Sequence, residues 1–152
     1  MTAAKRNDLS ASLEDYLEAI YNLTGPSRVA RSRDIAELLG VSKASVTGAL
    51  RLLKKKGLAN YKPYDFVTLT EKGRAAAAEV ARRHDILRSF FVDVLGVDPD
   101  TATRAACKAE HTLGPKVIAR LLRFIEFVTH ENQNGYDLAG RFRKYYRRKR
   151  KK

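Results

Sequence analysis

The chain has 152 residues, with 30 Lys and Arg against 17 Asp and Glu, a formal charge of +13. This length suits one ordinary domain or two small ones and excludes a large multidomain enzyme. No run approaches the roughly 18 to 20 apolar residues of a membrane span, the N-terminus lacks the apolar stretch of a secretory signal, and one cysteine allows no internal disulfide; a cytoplasmic protein without a membrane partner is expected.

The charge is concentrated. Residues 141 to 152 hold nine cations and no acid, residues 26 to 56 hold a local +6, and the remainder is slightly acidic. A polyanionic partner, nucleic acid first, fits such a distribution.

In chain order, Leu13, Tyr16, Leu17, Ile20 and Tyr21 form the apolar stripe of a first helix. Ser12, three residues before Asp15, suggests its cap, and Gly25-Pro26 its end. A short helix over roughly 33 to 39, capped by Ser32 and stopped by Gly40, precedes a third that starts after Ser42 and runs to Gly57. Two short helices joined by a tight Gly-containing turn read as helix-turn-helix. Residues 58 to 61 and 66 to 69 then read as a hairpin, which makes the unit a winged helix.

A long helix over about 71 to 95 follows, then one from the cap Asp98 and Pro99 to about Leu113, then a broadly apolar helix over about 116 to 128. Apolar residues on more than one face of that last helix call for two sets of neighbours, the domain's own core and a second subunit.

On the third helix, Ala44, Thr47, Gly48, Arg51 and Lys55 lie opposite the buried stripe of Val46, Ala49, Leu50 and Leu53. Small and hydrogen-bonding residues at the N-terminal end, then cations, suit a helix that enters the major groove. Ser42, Lys43 and Ser45 are placed to hold phosphates, with Arg28, Arg31 and Arg33 nearby. The competing description is a solvated face with a Lys-rich helix end complementing the macrodipole.

Cys107, Glu110 and His111 have the spacing C-x-x-E-H, which puts all three on one arc of a helix. Thiolate, carboxylate and imidazole together can bind a transition metal; the same spacing also fits a small buried Cys beside an exposed Glu-His pair. His84 falls on the apolar stripe of the long helix, where a satisfied core histidine is equally in keeping. Asp15 and Glu18 lie opposite the stripe of the first helix, where acids also serve as caps and dipole partners.

With helix 1 reading Glu14-Asp15-Tyr16-Leu17-Glu18-Ala19-Ile20-Tyr21, the winged helix, Arg83-His84 and Cys107-x-x-Glu110-His111, the chain resembles the diphtheria toxin repressor and manganese transport regulator family of metal-dependent repressors over about residues 9 to 128. The resemblance implies a mainly α fold, an N-terminal winged helix-turn-helix domain followed by an all-helical metal-binding dimerisation domain. It implies metal ligation by Asp15, Glu18, His84, Cys107, Glu110 and His111. Asp15 is the residue of the manganese type, where the iron type has methionine; Cys107 is the residue of the iron type, where the manganese type has glutamate. At the ancillary site of the iron type this chain has Arg88 and Thr103 in place of acid and histidine, which speaks against a second ion. The SH3-like third domain often found in the iron type has no room in 152 residues.

The expected layout is a DNA-binding domain over 1–72, a metal-binding and dimerisation domain over 73–131, and a basic tail over 132–152. The expected function is transcriptional repression of metal-uptake genes by a homodimer on a palindromic DNA operator, activated by Fe²⁺ or Mn²⁺. Rival readings are a winged-helix regulator indifferent to metal and a metalloenzyme, the latter lacking a separate nucleophile, oxyanion-stabilising motif or Gly-rich phosphate loop. The tail is expected to be solvated and disordered, adding sequence-independent phosphate contacts; Tyr145-Tyr146-Arg147-Arg148 would also suit RNA or a membrane surface.

Overall fold

A computed structural model describes residues 9–25, 29–64 and 66–149 of the chain. It is mostly helical, as expected, and its contacts divide it into two compact units, residues 1–81 and 82–152.

The first unit contains α1 (Ala11–Leu23), α2 (Ser32–Leu39), α3 (Lys43–Lys55), β1 (Ala59–Asn60) and β2 (Thr68–Leu69). The cap of α1 is Ser10, whose hydroxyl accepts from the Leu13 amide at 3.3 Å, and not Ser12, which lies exposed within the helix. Helix α2 begins at Ser32 itself, so that residue is not its cap; Arg31 occupies that position and supplies no side-chain bond. Gly40 ends α2 at φ +64, with Gly40 N–H donating to Glu37 O and Val41 N–H to Ala36 O. This pair of bonds closes the helix and turns the chain into α3, which Gly57 ends by the same device.

Leu17, Ile20, Ile35, Val46, Leu50, Leu53, Leu58 and Val67 are fully buried in one core. Truncating one such leucine to alanine costs about 2 to 5 kcal/mol. The wing is shorter than the hairpin pattern suggests. Ala59 pairs with Leu69 and Asn60 with Thr68, and a single bridge from Ala30 to Val67 extends the ladder. Pairing stops at Asn60 and Thr68, and Val67 bonds to Ala30 instead.

Helix α4 (Glu71–Ser89) follows, and Thr70 fixes its start. The Thr70 hydroxyl accepts from the Gly73 amide at 3.0 Å and donates to Gly57 O at 2.7 Å. A Cβ on Gly73 would collide with the Leu58 backbone, so only glycine lets α4 lie this close to the wing.

In the second unit, α4 runs directly into a π-helical turn (Phe90–Val94), so the long helix reaches Val94 with a change of winding that periodicity did not anticipate. Helix α5 (Pro99–Thr112) begins as expected, with the Asp98 carboxylate accepting from Thr101 N–H at 2.9 Å and Pro99 in its first turn. Helix α6 (Gly114–Gln133) is longer than expected. Ile118, Leu122 and Ile125 pack with Leu87, Phe90 and Ala106, whereas Val117, Phe124 and Phe127 on the adjoining arc are about half exposed.

The expectation of a disordered tail is overturned. Residues Leu138–Lys149 form α7. The Asn132 side-chain oxygen accepts from the Leu138 and Ala139 amides, Asp137 accepts from Gly140 N–H at 2.9 Å, and Ala139 is buried. Leu138, Phe142, Tyr145 and Tyr146 recur at helical spacing, a signal that the density of cations obscures.

Candidate functional site

The candidate groove-reading surface lies on α3. The Ser42 hydroxyl caps the helix by accepting from Ser45 N–H at 3.1 Å, and the two hydroxyls lie 2.9 Å apart. Lys43, Ala44, Ser45, Gly48 and Arg51 are exposed, and Thr47 is half-buried. The Thr47 hydroxyl donates back to Lys43 O at 3.0 Å, which leaves its oxygen as an acceptor and its methyl group for outside contacts. Around Gly48 there is open space: an added Cβ meets nothing within 4 Å. The fold has no need of glycine there, and a mid-helix glycine costs about 1 kcal/mol against alanine. Internal packing does not explain that residue.

Arg33 is exposed, and the Arg31 guanidinium lies over the Phe66 ring at 5.2 Å from its centroid. Arg28 lies outside the described residues. The structure adds wing residues that the sequence reading did not assign. Tyr64 is fully exposed at the turn with φ +64, an uncommon conformation for a residue with a Cβ, and Lys62 and Phe66 flank it exposed. The turn signal Lys62-Pro63-Tyr64-Asp65 marks a wing tip, and an aromatic there is the feature that could have revealed them.

The candidate metal ligands fall in both units. Asp15 and Glu18 lie on α1, half-buried and one turn apart. His84 is half-buried on α4. Cys107 is exposed on α5 and Glu110 is buried, the reverse of a buried cysteine beside an exposed acid. His111 is in the last turn of α5, and its side chain is outside the described residues. Among the described residues no three His, Cys, Asp or Glu side chains converge on one point.

One contact does place two ligand-bearing turns together. Arg83 Nε lies 3.1 Å from Glu110 Oε1, so the α4 turn that carries His84 is beside the α5 turn that carries Glu110. Carboxylate, imidazole and thiolate are donor types that suit Fe²⁺ or Mn²⁺. Arg88 Nε donates to Thr103 Oγ1 at 3.0 Å.

Comparisons with known proteins also divide the chain in two, with the boundary between residues 67 and 70. The iron dependent repressor N-terminal DNA binding domain matches residues 8–67, and the iron dependent repressor metal binding and dimerisation domain matches residues 70–136. An uncharacterised HTH-type transcriptional regulator of Methanocaldococcus jannaschii is 39% identical over 119 residues, 78% of this chain and 95% of that protein. The HTH-type transcriptional regulator MntR of Bacillus subtilis is 32% identical over 127 residues, 84% of this chain and 89% of that protein. A solved structure of a manganese-dependent transcriptional repressor in complex with manganese superposes with a TM-score of 0.65 at 32% identity, covering 76% of this chain. The present chain spans about half of that structure's length (53%). Among the described residues, no helix is long and apolar enough to cross a membrane.

Proposed function

The chain belongs to the iron dependent repressor family, and from this premise we propose that it represses metal-uptake genes as a homodimer, binding a palindromic operator tightly only when Fe²⁺ or Mn²⁺ is bound. It acts in the cytoplasm and catalyses no reaction. The observation that carries the metal half of this reading is the Arg83–Glu110 contact, which brings the His84 turn against the Glu110 turn.

The residues that would hold the ion are Asp15, Glu18, His84, Cys107, Glu110 and His111, and a bound ion would supply positive charge to their carboxylate, imidazole and thiolate donors. In the dimer, two α3 helices held about 34 to 36 Å apart meet successive major grooves. Ala44, Thr47, Gly48 and Arg51 face the base edges, and Ser42, Lys43 and Ser45 hold phosphates, with Arg28, Arg31 and Arg33 nearby. DNA and metal each tighten the other's binding.

Cys107 inclines the donor set toward Fe²⁺ over Mn²⁺, because thiolate is softer than the carboxylate of the manganese type. The test is selection of bound duplexes from a random pool, followed by affinity measurement with chelator and with Mn²⁺, Fe²⁺ or Co²⁺. At free metal about 100-fold above its Kd, operator affinity is expected to rise by up to about a hundredfold. An affinity indifferent to all three ions sinks the metal-activated reading. It would favour a metal-independent winged-helix regulator, for which Arg83 already neutralises Glu110.

A further inference from the structure

We propose that α7 is a docking strip for the phosphate backbone of duplex DNA, independent of sequence. The proposal rests on the DNA-binding reading above and adds a second contact surface remote in sequence from α3.

Helix α7 contains Arg141, Arg143, Lys144, Arg147, Arg148 and Lys149 and no acid, and all six cations are exposed. At about 100° per residue, the first five share one broad arc. Leu138, Phe142, Tyr145 and Tyr146 share the other arc. There Phe142 and Tyr146 stack at 6.2 Å between centroids, and Lys149 Nζ lies 5.8 Å from the centroid of Tyr145. The aromatic arc thus has contacts of its own. Among the described residues, none of the five arc cations is in an ion pair.

Such a helix opposes itself. Arg143 and Arg147, and Lys144 and Arg148, are like charges four residues apart, an arrangement that destabilises a helix. The chain nevertheless builds it and anchors its root through Asn132 and Asp137. A polyanion along the arc removes the repulsion. The spacing favours a duplex: five cations over about 10 Å of helix give roughly one per 2 Å, close to the one charge per about 1.7 Å of double-stranded DNA.

The experiment uses the full chain in chelator on a mixed-sequence 40-base-pair duplex, with affinity measured across a salt series. Replacing Arg141, Arg143, Lys144, Arg147 and Arg148 by Gln should weaken binding at low salt by at least tenfold. It should also flatten the slope of log K against log[salt] by up to about 4.5 per protomer. The smaller pair R147Q/R148Q should flatten it by up to about 1.8, and R147K/R148K should retain the parental slope. Melting curves no lower than the parent's check that the variants fold. An unchanged slope in both Gln variants overturns the proposal, as does a loss seen only with single-stranded RNA or with phosphatidylserine vesicles run in parallel. Metal-dependent operator preference is a separate readout: its absence would remove the repressor reading, while the salt slope on mixed DNA still decides the role of α7.

Discussion

Arg83 Nε and Glu110 Oε1 lie 3.1 Å apart, and the Glu110 side chain is only 4% exposed. A carboxylate this buried needs a cation, and here one supplied by the preceding helix occupies it. If Glu110 is a metal ligand, the guanidinium and the divalent ion compete for the same charge. R83M should therefore lower the melting temperature in chelator, by about 2 kcal/mol of stability, and enlarge the rise produced by Mn²⁺ or Fe²⁺. Calorimetric titration should show tighter metal binding. An identical metal response in the variant would separate Glu110 from the metal site.

Cys107 is exposed, so its replacement should not disturb packing. C107E should move the response toward Mn²⁺ and away from softer ions, measured as the ratio of midpoint concentrations for operator binding. A ratio that does not change would show that Cys107 is not a ligand.

Gly48 offers a test in which stability and function move in opposite directions. G48A should stabilise the free protein by about 1 kcal/mol, since nothing obstructs the new methyl group. It should weaken operator binding if α3 reads the groove as proposed, because the methyl group would then stand against the DNA. Denaturant melts and gel shifts on one preparation provide both numbers; equal or tighter binding would place the DNA elsewhere.

Val117 and Phe127 on α6 are about half exposed beside the buried arc of the same helix. V117D/F127D should convert the dimer to monomer in sedimentation with little change in helix content. A variant that stays dimeric would move the interface off this face.

The Asp98 carboxyl is held below its ordinary value of 3.8, mainly by accepting the Thr101 amide hydrogen bond, and then by the Thr101 hydroxyl. A lowered native pKa means that the folded state binds the proton less readily than the unfolded chain. The cap's contribution is complete above 3.8 and is lost as the pH falls through the native value. D98A should lower the melting temperature at pH 7, and the gap from the parent should narrow as the pH falls below 3.8. A gap that persists in acid would mean that the side chain acts through something other than its charge.

How much of this was legible before the structure depends on range. Helices α1, α3 and α5 follow from local apolar spacing and from caps within three residues, and Ser42 and Asp98 cap as their sequence suggests. Where two serines compete, as Ser10 and Ser12 do, the choice depends on which start buries Leu13, Tyr16 and Leu17, and that is a tertiary matter. Arg83 and Glu110 lie on different helices, and no local pattern joins them. The π-helical turn carries no compositional mark, because it differs from an α-helix only in which carbonyl each amide selects. Helix α7 was hidden for another reason: its charge suggests repulsion, and its anchoring bonds come from Asn132 and Asp137, ahead of the helix.

Thr70 joins two helices through a single oxygen, donating to Gly57 just past the end of α3 and accepting from Gly73 in the first turn of α4. It behaves like the key between a shaft and its wheel. The end of α3 and the start of α4 are thereby pinned to one side chain, across the whole length of the wing that separates them in sequence.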